Sequence, residues 1–154
     1  MKTNNNIHVL SRAVILDQES ILLCKTTDLA LNFYFLPGGH VEHGESVEAS
    51  LLRELLEETG ATCKIKRFLG CLEYSFEPRY SSICHNHEYN FIFEAESEAL
   101  KNDRAIPQLE AHIELLWMPF NQLSTIDFRA KPLLELIPCW LKSKSPATFK
   151  SVMV

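Results

Sequence analysis

Apolar residues come mostly in short β-branched runs, and helical spacing emerges over two longer stretches. Residues 7–16 and 20–25, IHVLSRAVIL and SILLCK, flank Asp17-Gln18-Glu19 and read as a hairpin of two strands. Residues 33–36 read as a further short strand that ends at Pro37, with Gly38 and Gly39 free to turn. Strands are expected over 63–76 and 89–95, separated by a polar loop at 77–87, and again over 113–118 after an irregular stretch at 96–108. Helical spacing marks 46–60, with Ser46 as N-cap and Gly60 as a left-handed C-terminal stop, and 131–142, where Pro138 should kink or shorten the helix. Strands interleaved with two helices predict an α/β or α+β sandwich. Residues 1–142 form one expected domain, and residues 143–154 are expected to be a mobile tail.

The first helix carries the chemistry. At about 100° per residue, Glu54, Glu57 and Glu58 fall within an arc of roughly 100°, and Ala49, Leu52, Leu55 and Leu56 form the face expected to pack. A merely solvated face would offset its acids with lysines one turn away, yet residues 44–63 hold one cation, Arg53, and no lysine. Three carboxylates this close repel one another unless a cation or protonation relieves them. Hard oxygen donors of this kind suit Mg2+ or Mn2+. Glu57 and Glu58 also lie near the helix C-terminus, where the macrodipole disfavours negative charge and a bound cation compensates most.

Spacing sharpens the reading. From Gly39, five residues lead to Glu45 and seven more to Arg53, followed by Glu54-Leu55-Leu56-Glu57-Glu58-Thr59-Gly60-Ala61. This stretch resembles the Nudix box at each fixed position, with Ala61 a small version of its apolar end. Pro37-Gly38-Gly39 and Trp117-Met118-Pro119 extend the resemblance more weakly. It implies a Nudix-like α/β/α sandwich with a mixed sheet and hydrolysis of a phosphoanhydride. It further implies Glu54, Glu57 and Glu58 as metal ligands, with a carbonyl from Gly38. Arg53 would hold a carboxylate in place, and Glu45 would be a structural partner. The family draws its general base either from the helix, here Glu54, or from a later loop, here Glu110 or Glu114.

The remaining residues narrow the substrate less. The chain has 154 residues and a formal charge of −5, which argues against a nucleic-acid polymer but leaves a small nucleotide-derived substrate open. Neither a membrane span nor a secretory signal is evident, so the expected location is cytoplasmic. A homodimer is left open. Cys24, Cys63, Cys71, Cys84 and Cys139 form no CxxC pair and are expected as reduced thiols. His40 and His43 lie in the glycine loop within reach of phosphate, while His85 and His87, beside Cys84, suggest a weak zinc pair. Tyr34, Phe76, Tyr80 and Tyr89 are candidates to stack a base. Nucleotide sugars, ADP-ribose-like compounds and nucleoside triphosphates all fit. The alternatives are a nucleotide-sensing module without turnover and an RNA 5′-end pyrophosphohydrolase.

Overall fold

The computed structural model describes residues 6–28, 32–77 and 85–153. Strands β1 (Ile7–Asp17), β2 (Ser20–Thr26), β3 (Tyr34–Phe35) and β4 (Gly38–His40) precede helix α1 (Val47–Thr59). Then come β5 (Lys64–Ser75), β6 (His87–Glu96), β7 (Ile113–Pro119), a 3-10 turn over Phe120–Thr125, α2 (Leu133–Lys142) and β8 (Thr148–Val152). The sheet is mixed. β1 runs parallel to β6 and β5 parallel to β8, whereas β5–β6, β1–β4, β2–β3 and β2–β7 are antiparallel. β1 meets β2 only at its end, through Leu16 and Asp17, so β3–β2–β7 splays from the β4–β1–β6–β5–β8 sheet. The opening between the two parts holds the site described below.

Alternation along the strands sorts side chains into two cores, as the two-residue period of a pleated strand requires. Val14, Ile21, Leu23 and Ile92 enter one, with Leu133, Ile137 and Trp140 of α2. Their chain neighbours Ala13, Ile15, Leu22, Cys24 and Phe93 enter the other, with Leu51 and Leu55 of α1. Both faces of the strands are covered by helix, which is the expected α/β/α sandwich. Among the described residues no helix is long and apolar enough to cross a membrane.

Four local expectations need correction. Gly38 and Gly39 do not turn; they form β4, hydrogen-bonded to β1 opposite Arg12 and Ser11. The segment expected to be a mobile tail carries β8, which extends the sheet beside β5 and is tied to α2 by a hydrogen bond from Trp140 Nε1 to Thr148 Oγ1 at 2.8 Å. Helix α2 continues through Pro138, because Leu133, Ile137 and Trp140 bury one stripe of it in the core. Finally, α1 packs through Ser50, Leu51, Leu55, Glu58 and Thr59, not through Leu52 and Leu56, which are exposed. The helix is rotated from the expected orientation, and one of its acids lies inside.

That rotation is measurable. Leu55→Ala, in a fully buried position, should cost about 2–5 kcal/mol in denaturant unfolding. Leu56→Ala, at a half-exposed position, should change stability by no more than about 0.5 kcal/mol. Equal losses at the two positions would contradict the assigned face.

Candidate active site

Helix α1 is fixed at both ends as its sequence requires. Ser46 Oγ accepts from the Ala49 N–H at 3.1 Å, and Gly60 closes the helix with φ 69° and an N–H bond to the Leu56 carbonyl. Arg53 then organises the acids. Its guanidinium grips Glu45 with two hydrogen bonds, Nη2 to Oε1 at 2.8 Å and Nε to Oε2 at 3.2 Å, the fork geometry that favours arginine over lysine. This fork and the Glu42 N–H hold the Glu45 carboxyl down at about 2. Arg53 Nη1 reaches Glu54 Oε1 at 3.0 Å and Glu57 Oε2 at 3.3 Å, and Nη2 donates to the His40 carbonyl. Arg53 thus holds carboxylates in place, and it bends back to Glu54 although helical spacing alone would point it away.

Glu58 lies at the centre, only 6% exposed. Its Oε2 accepts from the Gly38 N–H at 2.9 Å, and the Cys24 thiol donates to Oε1 at 3.9 Å. Burial pushes its carboxyl up to about 7; Glu54 and Glu110 push the same way, against the Gly38 N–H and Arg12. The glycines make this closeness possible. Gly38 has φ 123°, and a Cβ there would stand 2.1 Å from the Ser11 carbonyl oxygen. A Cβ on Gly39 would stand 2.4 to 2.6 Å from the carboxyl group of Glu54. Only a strand without side chains lets two carboxylates rest directly against it.

Glu54, Glu58 and Glu110 line one cleft of about 1120 Å3 between the splayed strands, at the upper end of small-molecule sites. Glu57 is half-exposed at the helix edge beside Arg53 and is not among the lining residues. Glu114 is also outside: on β7 it pairs in register with Lys25 of β2 and lines a separate depression. Of the candidate histidines, His40 and His85 line the cleft, and His112 lines it as well. His85 and His87 do not act as a pair, because His85 Nε2 meets Glu88 at 2.7 Å while His87 Nε2 meets Glu73 at 3.2 Å. Phe76 lines the cleft, whereas Tyr89 binds Glu73 at 2.6 Å elsewhere. Tyr34 packs against the α2-side core, and Tyr80 and Cys84 lie outside the described residues. Cys24, Cys63, Cys71 and Cys139 are free thiols, as expected.

Several lining residues carry no local sequence signal. Arg12 on β1 donates Nη1 to the carbonyls of Leu36, at 3.1 Å, and Gly38, at 2.5 Å, with its guanidinium over the Phe35 ring. The Gly38 carbonyl therefore already has one partner, leaving one lone pair for a metal. Arg129, with its guanidinium over Phe33, and Lys131 add further positive charge to the lining. Phe33, Phe35, Tyr74 and Phe76 supply aromatic surface.

The donor set fits a hard divalent cation. A buried carboxyl group held near neutrality, a second pressed on a side-chain-free strand and a third across the cleft lack enough positive charge among their close partners. Glu54, Glu58 and Glu110 and the second lone pair of the Gly38 carbonyl are the oxygens at hand.

Burial of Glu58 has a consequence for stability. With its folded value near 7 and an ordinary value of 4.5, the native state holds a proton that the unfolded chain has already lost between those pH values. Stability must fall as pH rises through that window, by about 3 kcal/mol in full. His40, lowered to about 4 by burial and then by His8, His85 and Arg12, acts in the opposite sense over an overlapping window. Comparison with Glu58→Gln cancels it. In chelator, the stability of the unsubstituted protein relative to Glu58→Gln should fall between about pH 5 and about pH 8; a difference independent of pH would mean that the carboxyl group is not held neutral.

The model of the NUDIX domain family matches residues 7–137. The chain is 27% identical over 148 residues to a Caenorhabditis elegans protein described as a nudix hydrolase, with 90% of this chain and 40% of that protein covered. It is 41% identical over 54 residues to an ADP-ribose pyrophosphatase of Methanocaldococcus jannaschii, covering 35% of this chain and 32% of that one. The chain thus spans two fifths or less of the length of these curated relatives. A NUDIX hydrolase structure from Nitrosomonas europaea superposes with a TM-score of 0.70 at 21% identity, over 88% of this chain and 89% of that one, a likeness of fold. With the family model spanning most of the chain and the glycine strand and acidic helix arranged as described, the protein belongs to the Nudix family.

Proposed function

We propose that the chain is a divalent-metal-dependent hydrolase of the phosphoanhydride in a small nucleoside diphosphate derivative. The observation that carries this reading is Glu58, buried against Gly38 with Glu54 and Glu110 nearby in a cleft that also holds Arg12, Arg129, Lys131 and four aromatic rings. Acid at one part of the lining suits a metal; cations and rings suit phosphate and base. When bound, Mg2+ or Mn2+ supplies charge neutralisation at the phosphoryl oxygens and a more acidic water.

The chain's own residues do the rest. Glu54 and Glu58 would hold the cation, and Glu57, which shares Arg53 Nη1 with Glu54, would join them by turning from that guanidinium. Arg53 keeps Glu45, Glu54 and the β4 backbone in register. Water oxygen bonds to phosphorus as the bridging P–O bond breaks, and the leaving phosphate takes the electron pair. The water proton passes to Glu54 or Glu110, which line the cleft beside Glu58 and are less buried than it. Glu114, on the far side of β7, has no part.

ADP-ribose-like compounds and nucleotide sugars suit a cleft of this size lined by cations and aromatic rings. The net charge of −5 favours such substrates over RNA. The intact acid cluster favours turnover over sensing.

A panel of ADP-ribose, nucleotide sugars, nucleoside triphosphates and triphosphorylated RNA, incubated with Mg2+ and resolved by chromatography for the nucleoside monophosphate and other phosphorylated products, tests the reading. Turnover of a free nucleotide derivative, lost in chelator, is expected. Glu58→Gln should cut kcat/KM by at least about 10²-fold. Glu110→Gln should lower kcat more than Glu114→Gln, which should stay within about twofold of the unsubstituted enzyme. Near-normal activity of Glu58→Gln at saturating Mg2+ would remove the assignment, and RNA cleavage with inert small nucleotides would replace the substrate class.

A further inference from the structure

The cleft contains a second set of ligand-type side chains that the hydrolytic reading does not use. His8 of β1, His40 of β4 and His85, just before β6, converge from three separate parts of the chain. Their ring centroids are 4.7 Å apart for His8 and His40, 4.2 Å for His8 and His85, and 5.7 Å for His40 and His85. One ring nitrogen from each lies within 4.8 Å of the other two. Bonds of about 2.05 Å to a tetrahedral ion would set these nitrogens about 3.3 Å apart, so closure needs shifts of about 1.5 Å. Rotation of imidazoles beside an open cleft supplies movement of that size.

Two further observations point to a ligand. His8 Nδ1 is buried and has no hydrogen-bond partner within the protein, a condition that calls for a specific explanation. His85 is backed by Glu88, whose Oε2 lies 2.7 Å from His85 Nε2 and whose Oε1 accepts from Asn90 Nδ2 at 2.8 Å. A carboxylate behind a histidine is the arrangement that fixes ring orientation in metal-bound imidazoles. The charged groups facing the cluster are Glu88 and Arg12, and Arg12 Nη1 is spent on the Leu36 and Gly38 carbonyls.

We infer that His8, His40 and His85, with Glu88 behind His85, form a nitrogen-ligand site for a transition metal of the Zn2+ class, separate from the carboxylate site. His40 and His85 line the cleft, so the fourth coordination position opens toward it and takes water or an anionic oxygen. Imidazole donors select against Mg2+, and carboxylate donors accept it, so the two sets choose different ions.

Zn2+ titration of the full chain in millimolar Mg2+, followed by calorimetry, tests this independently of activity. One equivalent should bind with micromolar or tighter affinity. His40→Gln and His85→Gln should weaken it at least about 100-fold, and Glu88→Gln about 10- to 100-fold. Glu54→Gln should leave it unchanged, which separates this site from the acid cluster. Co2+ in place of Zn2+ should give a tetrahedral visible spectrum without a thiolate charge-transfer band. His8→Gln alters a strand position, so thermal unfolding is measured alongside; His40, on the cleft wall, decides if that variant does not fold. Unchanged Zn2+ affinity in His40→Gln, displacement by Mg2+, or a thiolate band would each overturn the site.

Discussion

The close approach of helix α1 to the two-glycine strand is the constraint on which the rest of the structure depends. A carboxylate cannot be buried without donors or a cation to meet it. Glu58 meets the Gly38 N–H because neither Gly38 nor Gly39 has a side chain to hold the helix off. Any Cβ at Gly38 would collide with the Ser11 backbone on the next strand, and any at Gly39 with the Glu54 carboxyl group. Spacing in β4 therefore sets the position of two acids at once. Arg53 completes the arrangement by tying Glu45, Glu54, Glu57 and the His40 carbonyl into one unit. The value of these contacts lies less in stability, since partly exposed ion pairs contribute little, than in holding carboxylates at fixed positions.

That constraint also explains why an acid lies on the packed face. Leu51 and Leu55 anchor the helix in one core, and Glu58 follows them on nearly the same stripe, one turn on from Leu55. Burying it costs stability as pH rises, whereas Leu52 and Leu56 remain exposed. An ordinary amphipathic helix would turn the other way. Leu51 and Leu55, together with the side-chain-free β4, hold the helix in this orientation, which leaves Leu52 and Leu56 exposed and an acid inside.

What the sequence made legible were features with short-range causes. Ser46 and Gly60 mark helix ends through bonds to residues within four positions, and the pairing of Arg53 with Glu45 spans one loop. Helical spacing alone brought Glu54, Glu57 and Glu58 together, and the family resemblance narrowed the sandwich and gave the acids their roles. Long-range pairing was not legible. Nothing near residues 148–152 indicates that they join β5, because the ladder partners lie some eighty residues upstream. Glu110 and Glu114 look alike in sequence; only the register of β7 against β2, which sets Glu114 opposite Lys25, separates them. His85 and His87 look like a pair, yet His85 lies outside the strand that begins at His87, so the two-residue period does not apply to them.

The same short strand links the two proposed ligand sets. Gly38, at one end of β4, bonds to Glu58, while the carbonyl of His40, at the other, accepts from Arg53 and from Ser50 Oγ. A shift of the His40 backbone would therefore reach Arg53, and through it Glu54 and Glu57. The carboxylates prefer a hard ion and the imidazoles a softer one, so occupation at either end bears on a shared strand of three residues. Coupling of this kind needs differential contacts in two states of a connecting element. Here the element is β4, and its hydrogen bonds to α1 are the contacts that would have to change.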